Sequence, residues 1–206
     1  MAGITRESFK RRSSAQNEGI NDPTKRCTAF QKQNLRDLDL RDMDLAGYDF
    51  RGADLRRVDL RGASLRSTDL RRVDLRGANF EGAELLNAWF SGADLRSAFG
   101  LPSSPVVWNL HERILSIVEE DLRTLDMRQC HGCSTTHSRV GWTIHLAGEE
   151  GYALEESIGS DAAGTLITLA SCPWLEKVPD WHVSAEEALA DIRRCAEIER
   201  SMNTDK

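Results

Sequence analysis

The middle of the chain repeats every five residues. Leucine or phenylalanine occupies every fifth position from Leu35 to Leu95 without an exception. An alanine or valine stands two positions earlier in most copies, Asp usually precedes the leucine, and Arg usually follows it. A period of five fits neither the 3.6-residue turn of a helix nor the two-residue alternation of a strand. The chain must therefore turn a corner in each repeat, with the leucine and the small residue facing inward.

These thirteen units of the form Ala-(Asp/Asn)-Leu-X-X resemble the pentapeptide-repeat family. The resemblance covers residues 33–97, about a third of the chain. It implies a short right-handed quadrilateral β-helix with four repeats in each coil, hence about three coils here. The family has no common catalytic activity, and its topoisomerase-protecting members bind their targets by imitating the shape and charge of DNA. The resemblance therefore implies a binding protein.

Four repeats per coil would stack residues that are twenty positions apart, at a spacing of about 4.8 Å. One face then carries two neighbouring columns of charge, formed by Arg36, Arg56, Arg76 and Arg96 and by Asp54, Asp74 and Asp94. One interpretation is a solvated network of ion pairs, because each arginine lies two residues after an acidic or amide residue. The other is an arginine stripe that binds phosphate or an acidic partner. The repeats have a net charge of only −1, which favours the network.

The length of the repeat region limits what it can imitate. Thirteen repeats at four per coil give a rod about 16 Å tall at the spacing between strands. Duplex DNA of that length holds about five base pairs. The region is therefore short for imitating a long duplex, which counts against a topoisomerase-protecting function.

Two outward positions break the charged pattern of the repeats. Leu86 stands where arginine is usual, and Trp89 stands where aspartate is usual. Apolar side chains on a charged surface mark either contact with another part of the chain or a site for a partner. We therefore expect either that residues after position 100 cover them, or that they form a partner-binding hot spot.

The charge and the composition divide the chain into three parts. Residues 1–32 have a net charge of +4 and contain a predicted capping helix near residues 5–14. Residues 33–99 form the β-helix, and Pro102 begins a linker. Residues 106–206 form a mainly helical domain, and the chain after residue 97 has a net charge of −9. An acidic surface is not expected to bind nucleic acid directly, but it can compete with nucleic acid for a basic partner.

Apolar spacing predicts four helices in the acidic domain. They cover residues 109–122 with Asn109 as N-cap, Gly148–Gly159, Ala162–Ala170 and a last helix that begins with the capping box Ser184–Glu187. The last helix carries an apolar stripe that includes Leu189 and Ile192. Two interpretations stay open for this stripe: it packs into its own domain, or it forms a homodimer interface.

Cysteine usage suggests a reducing compartment and one candidate metal site. Five cysteines, odd in number and scattered, do not form a disulfide framework, so a cytoplasmic location is expected. The sequence contains no run of about 18 apolar residues, so it predicts no membrane span. Cys130, Cys133 and His137 could supply three zinc ligands, with His145 or Cys172 as the fourth, but the second pair of ligands is not well spaced. Ordinary thiols without a cofactor are the alternative, and any enzyme activity would be centred on Cys133, His137 and Glu149.

The function that these features predict is non-enzymatic inhibition. The carboxylates Glu149, Glu150, Glu155 and Glu156 would occupy sites where a host protein complex expects the phosphates of nucleic acid. A short stretch around residues 133–151 is similar to segments of phage and prophage proteins, which suggests a phage origin and an anti-CRISPR or other anti-defence role in the cytoplasm of the host. The alternatives are a topoisomerase-protecting protein, a zinc-binding or catalytic module, and a structural or virion protein.

Overall fold

Each five-residue repeat forms one turn and one bridge to the repeat four places further along the chain. The bridges are parallel and all join residues twenty positions apart, as in the series Asn34, Asp54, Asp74 and Asp94. Backbone hydrogen bonds run between the same layers: the amide of Leu55 donates to the carbonyl of Asp74 at 2.8 Å. The stacking period of twenty residues predicted from the sequence is therefore confirmed.

The computed structural model describes residues 5–16, 30–127, 131–133 and 136–204. The chain divides into two units. The first, here called the repeat unit, ends at Pro102 and also includes Glu176–Pro179. The second, the helical unit, contains Ser103–Leu175 and the chain from Asp180 on.

The corners of the repeat unit are tight turns. The amide of Ala53 donates to the carbonyl of Phe50 at 2.8 Å, and between them Gly52 has a φ of 66°. A turn of this kind needs a left-handed residue at its third position, where glycine is strain-free. Several repeats use other residues there, such as Arg57 with a φ of 56°. Stacking of the layers, rather than local preference, holds those corners.

The core of the repeat unit consists of the residues that the five-residue period places inward. All thirteen leucines and phenylalanines from Leu35 to Leu95 are buried, as are small neighbours such as Ala63 and Ala93. Each large apolar side chain stabilises the fold by about 1.5–3 kcal/mol when fully buried. Because the layers repeat every twenty residues, these side chains form continuous columns.

A helix covers one end of the repeat unit. Helix α1 (Arg6–Gln16) inserts Phe9, which is fully buried and lies 4.3 Å from Phe30 between ring centroids. The Arg6 guanidinium donates to Asp39 at 2.6 Å and ties the helix to the repeats. The helix predicted near residues 5–14 is confirmed, and its apolar contact is a stack of aromatic rings.

The other end is partly covered by a segment that is distant in sequence. The amide of Val178 donates to the carbonyl of Ala93 at 2.9 Å, and the amide of Gly92 donates to the carbonyl of Pro179 at 3.2 Å. Residues 176–179 thus act as a strand partner for the last layer. The regular path ends at Gly100, where a Cβ atom would lie 2.3 Å from the amide nitrogen of Glu81.

The helical unit contains five α-helices and one short hairpin among the described residues. In chain order these elements are α2 (Leu110–Glu120), a 3-10 turn (Leu122–Thr124), β1 (His131–Cys133), β2 (Thr136–His137), α3 (Arg139–Leu146), α4 (Gly148–Ile158), α5 (Ser160–Ser171) and α6 (Ala185–Thr204). The two strands pair antiparallel. The four predicted helices correspond to α2, α4, α5 and α6, whereas α3 and the hairpin were not predicted. None of the helices in the described ranges is long and apolar enough to cross a bilayer.

Helix α6 begins and packs as its local sequence dictates. The amide of Glu187 donates to Ser184 Oγ at 3.2 Å, and the amide of Ser184 donates to Glu187 Oε2 at 3.0 Å, which is the predicted capping box. The apolar stripe packs within the unit, where α6 lies against α2. Ile192 is fully buried and Leu189 is half-buried. Ile192 therefore cannot form the predicted dimer contact, and its role in a homodimer is corrected to one in the core.

Candidate functional site

The arginines of the repeat unit lie between stacked aspartates. Arg56 donates from Nε and Nη2 to Asp54 at 2.8 and 2.6 Å, and its Nε lies 3.4 Å from Oδ2 of Asp74 in the next layer. Arg76 is 2.7 Å from Asp74 and 3.5 Å from Asp94. The same pairing holds at the two ends of the columns. Arg96 forms an ion pair with Asp94, and Arg36 Nε lies 3.8 Å from Asp54 Oδ2.

Each aspartate also closes the turn that follows it. The carboxylate of Asp54 accepts the backbone amide of Arg56 at 3.3 Å, in addition to the guanidinium of the same residue. The same arrangement recurs on two further faces, in the pairs Arg41–Asp39, Arg61–Asp59, Arg51–Asp49 and Arg71–Asp69. Only one face was predicted, although the same twenty-residue spacing could have identified the others. A phosphate would have to displace a carboxylate from each of these arginines.

The aspartate columns should make the repeat unit sensitive to acid. Hydrogen bonds from Arg56, Arg61 and Arg76 hold the pKa values of Asp54, Asp59 and Asp74 below the ordinary range. The folded chain then binds fewer protons than the unfolded chain, so this stability is present above the unfolded pKa of about 3.9 and is lost as pH falls through the folded values. We expect the urea midpoint, followed by far-UV circular dichroism, to decrease below about pH 4.

The matched variant for this prediction is Asp54→Asn/Asp74→Asn. The amide oxygen can still accept the backbone N–H that follows, but the side chain no longer titrates. Stability should be lower at neutral pH and should change less between neutral and acid pH than in the original chain. An unchanged difference between the two pH values would contradict the assignment.

Trp89 is a partly exposed aromatic residue on the repeat unit. Its side chain is 42% exposed, and Leu86 is half-buried. The Arg71 guanidinium lies 4.8 Å from the centre of the Trp89 ring, in a cation–π contact, while it also pairs with Asp69. The ring is therefore held in place by the charge network and offers its remaining surface to solvent.

Helix α4 concentrates exposed carboxylates in the helical unit. Glu149, Glu150 and Glu156 are exposed, and none of them has an ion-pair partner among the residues that the structure describes. Glu149 and Glu150 lie in the first turn, where the helix dipole stabilises negative charge. Glu155 differs, because it is half-buried and accepts a hydrogen bond from Ser160. Three of the four predicted carboxylates are thus available to a partner.

Apolar surface adjoins this acidic helix. A shallow pocket of about 430 Å³ lies beside Glu150 and is lined by Ser103, Ser104, Pro105, Ala153, Leu154 and Ser157. Carboxylates at the rim of apolar surface are typical of protein-binding sites. The carboxylates could be predicted from the sequence, but the pocket could not, because it requires two segments that are distant along the chain.

A buried polar cluster lies where α2 begins. The Glu199 carboxylate accepts the backbone amides of His111 and Glu112, each at 3.0 Å, and faces His111 Nδ1 at 2.9 Å. The predicted N-cap, Asn109, has a left-handed conformation and makes no side-chain capping bond. That prediction was wrong, because a carboxylate from α6 caps the helix instead. Cys172 completes the cluster, and burial raises the pKa of its thiol well above the ordinary value.

A second buried polar group lies on α3. Arg139 has a side chain only 3% exposed and pairs with Asp191 of α6. Its guanidinium also contacts Cys195 Sγ at 3.7 Å and lies 5.9 Å from the centre of the Trp181 ring. The arginine therefore links α3 to α6 through Asp191 and Cys195, and to the segment before α6 through Trp181.

The predicted metal site lies mostly outside the described residues. Cys130 is not among them, and for Cys133 in β1 and His137 in β2 only the backbone is described. The two strands pair with one another, and Cys133 is the register partner of Thr136. The zinc hypothesis for these three residues stays a prediction.

The regular period of the repeat unit matches a known family of sequences. The family described as pentapeptide repeats matches residues 34–72 and 59–96, in eight copies. Residues 34–96 of this chain are pentapeptide repeats. The matched residues are those whose leucines form the buried columns and whose aspartates and arginines form the outer network. None of the curated proteins shows significant similarity to the chain.

Several solved structures are similar to the chain, among them the pentapeptide-repeat proteins Rfr23 and HetL. Rfr23 from the cyanobacterium Cyanothece 51142 is 30% identical over 34% of this chain and 45% of its own, with a TM-score of 0.29. HetL, involved in heterocyst differentiation regulation in Nostoc sp. strain PCC 7120, is 25% identical over 48% of this chain and 46% of its own, with a TM-score of 0.29. QnrB1, a plasmid-mediated fluoroquinolone resistance protein, is 18% identical over 34% and 49%, with a TM-score of 0.29. This chain spans less than half the length of each of the three.

Proposed function

We propose that this chain is a non-enzymatic binding protein whose helical unit occupies a basic, nucleic-acid-binding surface of a protein complex. The observation that carries this proposal is a contrast in charge. The arginines of the repeat columns are engaged by aspartates, whereas Glu149, Glu150 and Glu156 on α4 are exposed, with no ion-pair partner in the described part of the chain. Unpaired charge of one sign attracts a partner of the opposite sign and raises the rate of association.

The density of charge on α4 is similar to that of nucleic acid. The helix carries four glutamates and no basic residue in eleven residues. At 1.5 Å per residue this is about one negative charge per 4 Å, against about one per 3.4 Å along a DNA strand. Such a surface can take the place of phosphates on a basic protein while being repelled by nucleic acid itself. We therefore expect no direct binding of this chain to DNA.

We propose a target in the class of host defence complexes, such as a CRISPR effector, with the chain encoded by a phage or another mobile element. Two features favour this class over a topoisomerase. The repeat region is short, and the helix that carries four glutamates and no basic residue lies outside it. On the repeat unit, we propose Trp89 as a separate contact, since tryptophan is enriched at the centres of interfaces.

The test is affinity capture from nuclease-treated host lysate with the tagged full chain, followed by mass spectrometry. The test variant is Glu149→Gln/Glu150→Gln/Glu156→Gln. The control is Glu120→Gln/Glu186→Gln/Glu197→Gln, which removes the same charge from exposed positions of α2 and α6. We expect the original chain and the control to retain a complex that added duplex DNA displaces, and the test variant to lose at least about tenfold in affinity, or 1.4 kcal/mol.

Two results would contradict the proposal. Equal capture by the test variant and the original chain would show that the carboxylates of α4 do not contribute to binding. A bound complex that DNA does not displace would show that the chain does not compete with nucleic acid. Recovery of a topoisomerase as the displaced partner would favour the topoisomerase-protecting alternative, and assembly of the chain into virus particles would favour a structural function.

A further inference from the structure

Three side chains that can ligate a metal converge in the core of the helical unit. His111 lies at the start of α2, Cys172 directly follows α5, and Glu199 lies on α6. Their exposed fractions are 1%, 0% and 6%. None of the three is a glutamate of α4 or one of the zinc candidates Cys130, Cys133 and His137, so this inference does not rest on the proposed function.

The distances between the three ligand atoms are close to those of a tetrahedral zinc site. Cys172 Sγ lies 3.5 Å from His111 Nδ1 and 3.4 Å from Glu199 Oε1, and the last two atoms are 2.9 Å apart. Zinc bonds of about 2.3 Å to sulfur and 2.0–2.2 Å to nitrogen and oxygen, at tetrahedral angles, give ligand separations of about 3.3–3.6 Å. The two distances to sulfur fall in or near this range, and the third would lengthen by about 0.4 Å on binding.

The surroundings of the three residues fix the orientation of the carboxylate. Glu199 Oε2 accepts the amides of His111 and Glu112, each at 3.0 Å, while Oε1 faces the imidazole and the thiol and also accepts the His111 amide at 3.2 Å. Backbone groups that orient a ligating carboxylate in this way are typical of metal sites. The Trp174 ring, 6.1 Å from the His111 ring between centroids, lies beside the site.

We propose that His111, Cys172 and Glu199 form a zinc-binding site with His111 Nδ1, Cys172 Sγ and Glu199 Oε1 as ligands. A thiolate and a carboxylate balance the two positive charges of Zn²⁺, and the imidazole binds in its neutral form. The thiol proton is released to solvent as the metal binds, so one proton leaves per zinc ion. The fourth position is then available to a water molecule, as in other sites with three protein ligands. Without metal, the thiol donates to Glu199 Oε1, and His111 does so as well when its proton is on Nδ1; on zinc binding that proton moves to Nε2 by exchange with solvent, so the imidazole stays neutral and the net release remains one proton.

The experiment uses the purified full chain, freed of metal by a chelator and titrated with Zn²⁺ alone. In the Cys130→Ser/Cys133→Ser background, which removes two ligands of the other predicted site, we expect one zinc per chain and a higher unfolding temperature. Co²⁺ should give a thiolate-to-cobalt charge-transfer band in the same background. Cys172→Ser should weaken zinc binding by more than the roughly 100-fold caused by loss of an outer-shell partner.

Cys195→Ser is the matched control, because Cys195 is the other buried free thiol among the described residues. It should bind zinc like the original chain. Absence of zinc binding in the Cys130→Ser/Cys133→Ser background, or retention of zinc by folded Cys172→Ser, would overturn the proposal. If Cys172→Ser does not fold, the test is the cobalt spectrum of the Cys130→Ser/Cys133→Ser variant. Absence of a thiolate-to-cobalt band in that spectrum would also overturn the proposal.

Discussion

Replacement of Asp191 by alanine is expected to lower the free energy of unfolding of the helical unit by about 3 kcal/mol. The change removes the carboxylate that pairs with Arg139, whose side chain is 3% exposed. A buried guanidinium without its partner keeps the cost of leaving water and loses the attraction that offset this cost. Asp191 itself is 31% exposed, which places the expected loss at the lower end of the range for fully buried pairs.

The pair can be separated from its surroundings by two further variants. Arg139→Met/Asp191→Ala removes the charge together with its partner and should regain most of the lost stability, because an apolar pair of similar volume is often neutral. Arg194→Ala removes the exposed arginine that also pairs with Asp191, and should cost less than about 1 kcal/mol. Urea unfolding followed by tryptophan fluorescence measures all three. A double variant as unstable as Asp191→Ala would show that the loss does not come from the unpaired charge.

Replacement of Leu65 by alanine should lower the stability of the repeat unit by about 2–5 kcal/mol. Leu65 is fully buried in one column with Leu45 and Leu85. Its neighbour Ser64 is bridged to the layers on both sides, at Asp44 and at Glu84. The backbone therefore cannot move inward to fill the space left by the side chain, so the cavity should persist and carry its full cost.

The matched control is Arg66→Ala, one residue further along the same turn. Arg66 is exposed, so its loss should change stability by no more than about 0.5 kcal/mol. Far-UV circular dichroism during urea unfolding gives both values. A loss below about 1 kcal/mol for Leu65→Ala would indicate that the layers close around the missing side chain, contrary to a column of rigid layers.

The fold of the repeat unit could be predicted because its rule is local and uniform. Each repeat pairs with repeats at a constant separation of twenty residues, so the period alone identifies the core and the charged columns. The left-handed residues at the corners are harder to predict from the sequence. Gly52 indicates one of them, but Arg57 adopts the same conformation without any local signal. Neighbouring layers impose that conformation, and their effect is absent from any single repeat.

The helical unit was less predictable because its decisive contacts join distant residues. The capping box of Ser184 and Glu187 lies within four residues and was predicted. The cap of α2 comes from Glu199, 88 positions after His111, and the local candidate Asn109 does not act as one. An arginine at the start of α3 also gives no sign that it is buried against another helix. Local signals therefore identified the helices, while the buried polar groups depend on packing.

The pairing of Val178 with Ala93 has a consequence for the chain as it is synthesised. The two residues are 85 positions apart, so at about 5–20 residues per second the ribosome adds the second some 4–17 s after the first. During this interval the last layer of repeats can already fold, but its edge at Gly92 and Ala93 lacks the strand that later covers it. Open strand edges pair readily with other chains. The nascent protein is therefore most prone to aggregation between the completion of its repeats and the emergence of residues 176–179.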